Sequence, residues 1–136
     1  MNTLLRTKSV MNHILVNSGL ESRFIQVISA EPGRVELELA IQKEHTNRLE
    51  ILHGGIIASL VDLGGTLAIA SRGLSETGVT TDLNVSYLKS GGRVGDVVKA
   101  IASLAYTNIV LKNGNGEITA RGSHTKFLTE ASRLNH

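Results

Sequence analysis

The sequence predicts an α+β domain in which an antiparallel β-sheet wraps around one long central helix, with a further helix at the N-terminus. Three observations carry this. Over residues 56–70 the apolar side chains occupy every side of a helical wheel, the pattern of a helix enclosed by protein rather than lying on a surface. Strand-like runs flank that stretch and are joined by turns too short for parallel crossovers, so neighbouring strands must pair antiparallel. The 136 residues make one domain, residues 1–136, with enough chain to bury a core without disulfides or metals.

The N-terminal arm, about residues 1–20, is expected to be helical from about residue 7 to residue 16. Leu4, Leu5, Met11, Ile14 and Leu15 form its docking stripe, and Gly19 is its left-handed stop. Residues 24–30 and 34–40 flank Glu31-Pro32-Gly33, and the second run alternates apolar with charged residues; the pair reads as a β-hairpin with one solvated face. Residues 42–54 are polar, lack periodicity and deliver the chain to the central helix, which should begin near Gly55 and stop at Ser71-Arg72-Gly73. Gly64 and Gly65 inside that helix each cost roughly 1 kcal/mol relative to Ala, which implies that something packs very close to the backbone there. Residues 79–88, 96–102 and 117–127 are strands, with a Gly-rich loop over 89–95 and a Gly/Asn turn over 113–116. From Val97 through Leu111 the chain is continuously strand-like, longer than strands usually run, yet Ala102-Ser103-Leu104 contains no turn former. Two readings stand: one long bent strand, or a hairpin loop missing from the sequence.

Composition narrows the function classes. With 41% hydrophobic and 19% charged residues the chain is ordinary for a globular protein, and no apolar run approaches the ~20 residues of a membrane span. The absence of Cys removes thiol nucleophiles, disulfides and cysteine metal sites. A net charge of +2, with only Phe24, Phe127, Tyr87 and Tyr106 available for stacking, disfavours nucleic acid, whereas a modest basic bias suits a small, multiply anionic ligand. Arg6 and Lys8, without an acid in the first 20 residues, faintly resemble a mitochondrial presequence, and the compartment expected is cytoplasmic or mitochondrial. Leftover apolar surface and open sheet edges argue for self-association.

One residue asks for a reason. Asp62 lies mid-way along the apolar helix, where a carboxylate is costly unless it is paired, hydrogen-bonded or protonated. His53, His124 and Asp62 have no metal-ligand spacing, and no G-x-S-x-G elbow exists, so neither a metal nor a Ser/His/Asp triad is expected.

Asn47, His53-Gly54-Gly55, Asp62, residues 81–87 (TDLNVSY) and residues 120–126 (ARGSHTK) together resemble the hotdog-fold acyl-CoA thioesterases of the phenylacetate-degradation type, and the likeness runs from the N-terminal helix to Phe127. It implies hydrolysis of acyl-CoA to a free acid and coenzyme A, without metal or cofactor, by a homodimer or dimer of dimers with the site across the subunit interface. Asp62 then matches the catalytic carboxylate and Asn47 the loop amide that helps to place the attacking water. His53 and Gly54 match the positions where a side chain and a backbone N–H meet the thioester carbonyl, and Thr80 matches a catalytic Ser. Lys89 and Arg93 are the cations assigned to coenzyme A phosphates. Two departures stand out: the Gly-Lys/Arg-type turn before Leu104 is absent, and no Pro follows residues 79–88.

The chemistry fits those residue types. Backbone N–H groups at a helix start stabilise the oxygen that turns negative when a thioester carbonyl becomes tetrahedral, and Gly54-Gly55 leave no Cβ in the way. Asp62 serves as general base or as nucleophile. The plainer readings are a tight loop-to-helix turn for the Gly pair, a structural imidazole for His53, a turn residue for Asn47 and a partly wet helix face for Asp62. Two rival functions on the same fold are a non-catalytic acyl-CoA or acyl-carrier binding module and a dehydratase.

Overall fold

The computed structural model describes residues 2–18, 25–73, 79–104 and 108–127. Helix α1 (Thr3–Ser18) leads into strands β1 (Ile25–Glu31) and β2 (Arg34–Ala40), then a short 3-10 turn (Lys43–His45) and helix α2 (Gly54–Ser71). Strands β3 (Val79–Tyr87), β4 (Val97–Ser103), β5 (Asn108–Lys112) and β6 (Ile118–Phe127) complete a six-stranded sheet of order β1-β2-β4-β5-β6-β3, antiparallel throughout. This is the hotdog arrangement, in which one face of the sheet wraps α2.

Burial explains the wrap. Val35, Leu37 and Leu39 of β2, Val98, Ala100 and Ala102 of β4, and Ile109 and Leu111 of β5 turn inward at period two and meet Leu60, Val61, Leu67 and Ala68 of α2 in one core. At Gly64 the helix backbone lies close to the sheet: a Cβ there would lie 3.3 Å from the Ala102 methyl and 3.5 Å from Ile109, the close approach that its presence mid-helix implies. By length and composition α2 is apolar enough to cross a membrane, contrary to the sequence expectation, but 67% of it is buried inside this fold.

Helix α1 starts four residues earlier than expected because the Asn2 side chain caps it, accepting the Leu5 amide at 2.8 Å. Met11 is buried and Leu4 and Val10 pack against the core, whereas Leu5, assigned to the same stripe, is exposed. The expected stop, Gly19, lies outside the described residues.

The segment from Val97 to Leu111 is not one bent strand: β4 and β5 pair antiparallel, Ser103 with Asn108 and Ala102 with Ile109, and the residues that join them, 105–107, lie outside the described residues. At the end of β4 the Leu104 amide donates to the Gly33 carbonyl at 2.8 Å, tying it to the β1–β2 turn. Even-numbered side chains point inward on β4 and odd-numbered ones on β5, a phase change that a continuous strand cannot make.

Candidate active site

The loop from Ile41 to His53 is closed by its own polar side chains. Asn47 Oδ1 accepts the amides of Leu49 (2.9 Å) and Ile51 (3.4 Å), while the Asn47 amide donates to the Ile51 carbonyl at 2.9 Å. Asn47 is therefore a turn residue, as its plainer reading had it, but its NH2 group has no acceptor among the described residues and remains a donor. Glu50 completes the turn in the left-handed region, φ 63°, a conformation disfavoured for a residue with a Cβ. His45 ties this loop to the helix start: its Nδ1 accepts the Gln42 amide at 2.9 Å and its carbonyl accepts the His53 amide at 3.0 Å.

His53 is the N-cap of α2, and the helix starts at Gly54, one residue before the expected Gly55. The His53 Nδ1 accepts the amide of Ile56, the third helical residue, at 3.2 Å. The first two amides, those of Gly54 and Gly55, have no acceptor among the described residues and aim out of the helix end with its dipole behind them. Tyr87, at the end of β3, donates its hydroxyl to the Gly54 carbonyl at 3.1 Å and lays its ring against Gly54, where a Cβ would sit 3.3 Å from Tyr87 Cε1. The outcome is a rigid, open amide pair.

Asp62 is half-buried on the one stripe of α2 that is not fully enclosed, together with exposed Gly55 and Ser59 at the i, i+4, i+7 spacing of one helix face. Eight residues separate Asp62 from Gly54, which at 1.5 Å per residue is about 12 Å along the axis. Within one chain these two groups cannot meet at one carbonyl. Beside the same stripe, Ile56, Ser59, Leu60 and Leu63 close on Ile25, Leu39 and His45 around a small cavity of about 30 Å³.

The cations divide. Arg93 opens onto a groove of about 710 Å³ whose walls also carry Asn47, Lys43 and Arg48. Lys89 is not there; its Nζ pairs with Glu117 at 2.7 Å, and that partner, helped by the Asn113 side chain, holds the Glu117 carboxyl below its usual range. Thr80 lies in β3 opposite Lys126, next to a bulge at Thr81, and its side chain lies outside the described residues, as do those of His124 and Lys126. Among the described residues no cluster of His, Asp and Glu is arranged to hold a metal ion.

Sequence reasoning brings Asn47, His53 and Gly54 to one region and Arg93 to the groove beside it. It does not find Tyr87, His45, Lys43 or Arg48. Tyr87 reaches Gly54 across 33 positions of chain, a contact that no local pattern signals. Lys43 and Arg48 are visible in sequence only as two of many surface cations.

The thioesterase superfamily profile matches residues 49–108. A putative esterase of Schizosaccharomyces pombe is 42% identical over 91% of this chain and 83% of its own length. Acyl-coenzyme A thioesterase 13 of Homo sapiens is 38% identical over 76% of this chain and 79% of that protein. The crystal structure of zebrafish thioesterase superfamily member 2 superposes with a TM-score of 0.81 at 32% identity, covering 95% of this chain and all of that one. With likeness at this level across the helix start, the central helix and the sheet around them, the chain belongs to the thioesterase superfamily.

Proposed function

We propose that this chain hydrolyses acyl-CoA thioesters to a free carboxylic acid and coenzyme A, in a site shared by two subunits. The observation that carries the reading is the pair of open amides at Gly54 and Gly55, kept open because His53 caps only the third amide and placed beside an Asn47 loop with a spare NH2 donor. A relative named for acyl-coenzyme A hydrolysis and 38% identical to this chain supports the substrate class.

In this reading the thioester carbonyl oxygen lies against the Gly54 N–H and the His53 ring, with Asn47 orienting the water. Asp62 of the other subunit takes the water proton, or attacks the carbonyl itself to give an anhydride that the water then cleaves to the free acid, restoring Asp62. As the oxygen becomes negative the helix-end amides gain strength, and collapse of the intermediate expels coenzyme A as thiolate, which takes up a proton. The two-subunit arrangement rests on the ~12 Å between Gly54 and Asp62 along one helix and on the open edge strand β3, where Leu83 and Tyr87 are exposed, as is Leu88 just after it. A homodimer or a dimer of dimers meets that requirement. Thr80 keeps a hydroxyl on β3 for the role that a Ser would take.

The test is release of free thiol from a panel of acyl-CoAs by the wild type and Asp62→Ala. Turnover by the wild type and a loss of about 10²-fold or more in the variant are expected, as when a catalytic base is removed. Binding of acyl-CoA with no thiol release by the wild type would give the site to a binding module instead.

A further inference from the structure

We infer that Tyr87 is a positioning residue for hydrolysis: its phenol fixes the plane of the Gly54–Gly55 peptide and so aims the Gly55 N–H at the oxygen that turns negative. This rests on the hydrolase reading above and deepens it by one residue that the sequence did not single out.

An amide pair built from two glycines is open, and it is also loose. With no Cβ on either residue, the peptide unit between Gly54 and Gly55 meets little steric resistance to rocking about the φ and ψ bonds that flank it. At the first turn of a helix neither N–H has an intrahelical acceptor to hold it. What leaves the pair available to a substrate therefore also leaves its direction unset. An oxyanion donor contributes most when it points at the oxygen before the charge develops.

Tyr87 supplies what the glycines lack. Its hydroxyl donates to the Gly54 carbonyl at 3.1 Å. That carbonyl and the Gly55 N–H belong to one planar trans peptide and point in opposite directions, so a hold on the oxygen is a hold on the N–H. A carbonyl oxygen has two lone pairs, and the phenol adds its bond to the one that the helix makes. Hydrogen bonds in line also polarise one another, which makes the Gly55 N–H a stronger donor. The Tyr87 ring braces the unit from the side, where a Cβ on Gly54 would lie 3.3 Å from its Cε1 and 3.5 Å from its hydroxyl oxygen. Gly55 has the His53 ring as its neighbour, with a Cβ there lying 3.0 Å from Cε1 and 3.1 Å from Nδ1. Each glycine thus lies against one ring, and a larger residue at either position would press on that ring.

The phenol is itself anchored to the sheet. Tyr87 pairs with Ala120 of β6, and the amides of Leu88 and Lys89 both donate to the Thr119 carbonyl, at 3.0 and 3.2 Å. Thr119 is buried, and Lys89 is held again by Glu117. Stability does not account for the phenol's bond, since Tyr87 is 54% exposed and its hydroxyl could bond water instead at little cost. Direction is what water would not supply.

The test is Tyr87→Phe, which keeps the ring and removes only the hydroxyl. Its kcat for an acyl-CoA should fall about 3- to 10-fold, less than the roughly 10²- to 10³-fold of a lost oxyanion donor, because the Gly55 N–H stays but loses its aim. KM should stay within about twofold, as when an interaction serves the transition state alone, and thermal unfolding should match wild type. A second readout does not depend on turnover. By ¹⁵N relaxation the Gly55 N–H should have an order parameter in the rigid range, about 0.85, in wild type and a clearly lower one in Tyr87→Phe, while that of Leu60 stays rigid in both. An unchanged kcat in Tyr87→Phe, or a loss confined to KM, overturns the inference, and so does a Gly55 order parameter equal in the two proteins. A wild type that releases no thiol defeats the hydrolase reading alone. The order parameter then decides whether Tyr87 sets this amide: a fall in Tyr87→Phe sustains the hold, and equal values overturn it.

Discussion

His53 Nδ1 takes the amide hydrogen of Ile56, and that contact settles which ring nitrogen of the neutral imidazole carries the proton. Nε2–H is left as a donor, with no partner among the described residues, beside the open amide of Gly54. The two jobs of His53 are separable by substitution. His53→Ala loses both and should cost about 1 kcal/mol of stability, as removal of an N-cap does. His53→Asn restores an acceptor for Ile56, so thermal unfolding should return close to wild type, while turnover stays about 10-fold or more below it because the shorter amide does not reach where the Nε2–H stood. Full turnover in His53→Asn would reduce His53 to a cap. The residue types at this site were legible in sequence because each is chemically distinctive in its setting: an acid in an apolar helix, a Gly pair behind a His. The groove cations were not, since one Lys or Arg in a polar loop looks like any other until the fold brings three together.

Among the elements, the sheet shows what alternation can and cannot reveal. The period-two run in β2 gave its bounds from sequence, and the same alternation puts Glu36 on the outer face beside Arg34, with Oε1 accepting from the guanidinium at 3.0 Å. That bond, opposed by partial burial, holds the Glu36 carboxyl below its usual 4.5. A carboxylate whose folded-state value is depressed contributes stability that is present above its unfolded value and is lost as pH falls through the folded one. Wild type should therefore be more stable than Glu36→Gln by at most about 1 kcal/mol near neutral pH. Melting curves taken downward from pH 5 should show this difference shrinking to nothing, and a gap that persists at low pH would exclude the ion pair as its cause. The β4–β5 hairpin was missed for the opposite reason. Its turn carries no Gly or Pro, and its signal is the switch of buried positions from Val98, Ala100 and Ala102 to Ile109 and Leu111, which becomes legible only once one face is known to be buried.

For the whole molecule, the constraint is length. A straight helix holds Gly54 and Asp62 about 12 Å apart, so a site that needs an oxyanion donor and a base at one carbonyl must draw them from two copies of α2. Edge strand β3, with Tyr87 already touching Gly54, is the element that the proposed two-subunit site would use. The helical wheel of residues 56–70 revealed an enclosed helix but not the stripe of Gly55, Ser59 and Asp62 that this chain leaves less enclosed, which depends on where the sheet ends rather than on the helix's own sequence. The account stands most directly on mixing two crippled variants, Asp62→Ala and Asn47→Ala, each with little thiol-releasing activity alone. If Asp62 of one subunit serves the Asn47 loop of the other, random reassociation makes half the dimers mixed, each with one intact site of two, and activity should return to about a quarter of wild type. A mixture shown to have exchanged subunits and yet no more active than its parents would place Asp62 and Asn47 in the same subunit's site and contradict the account.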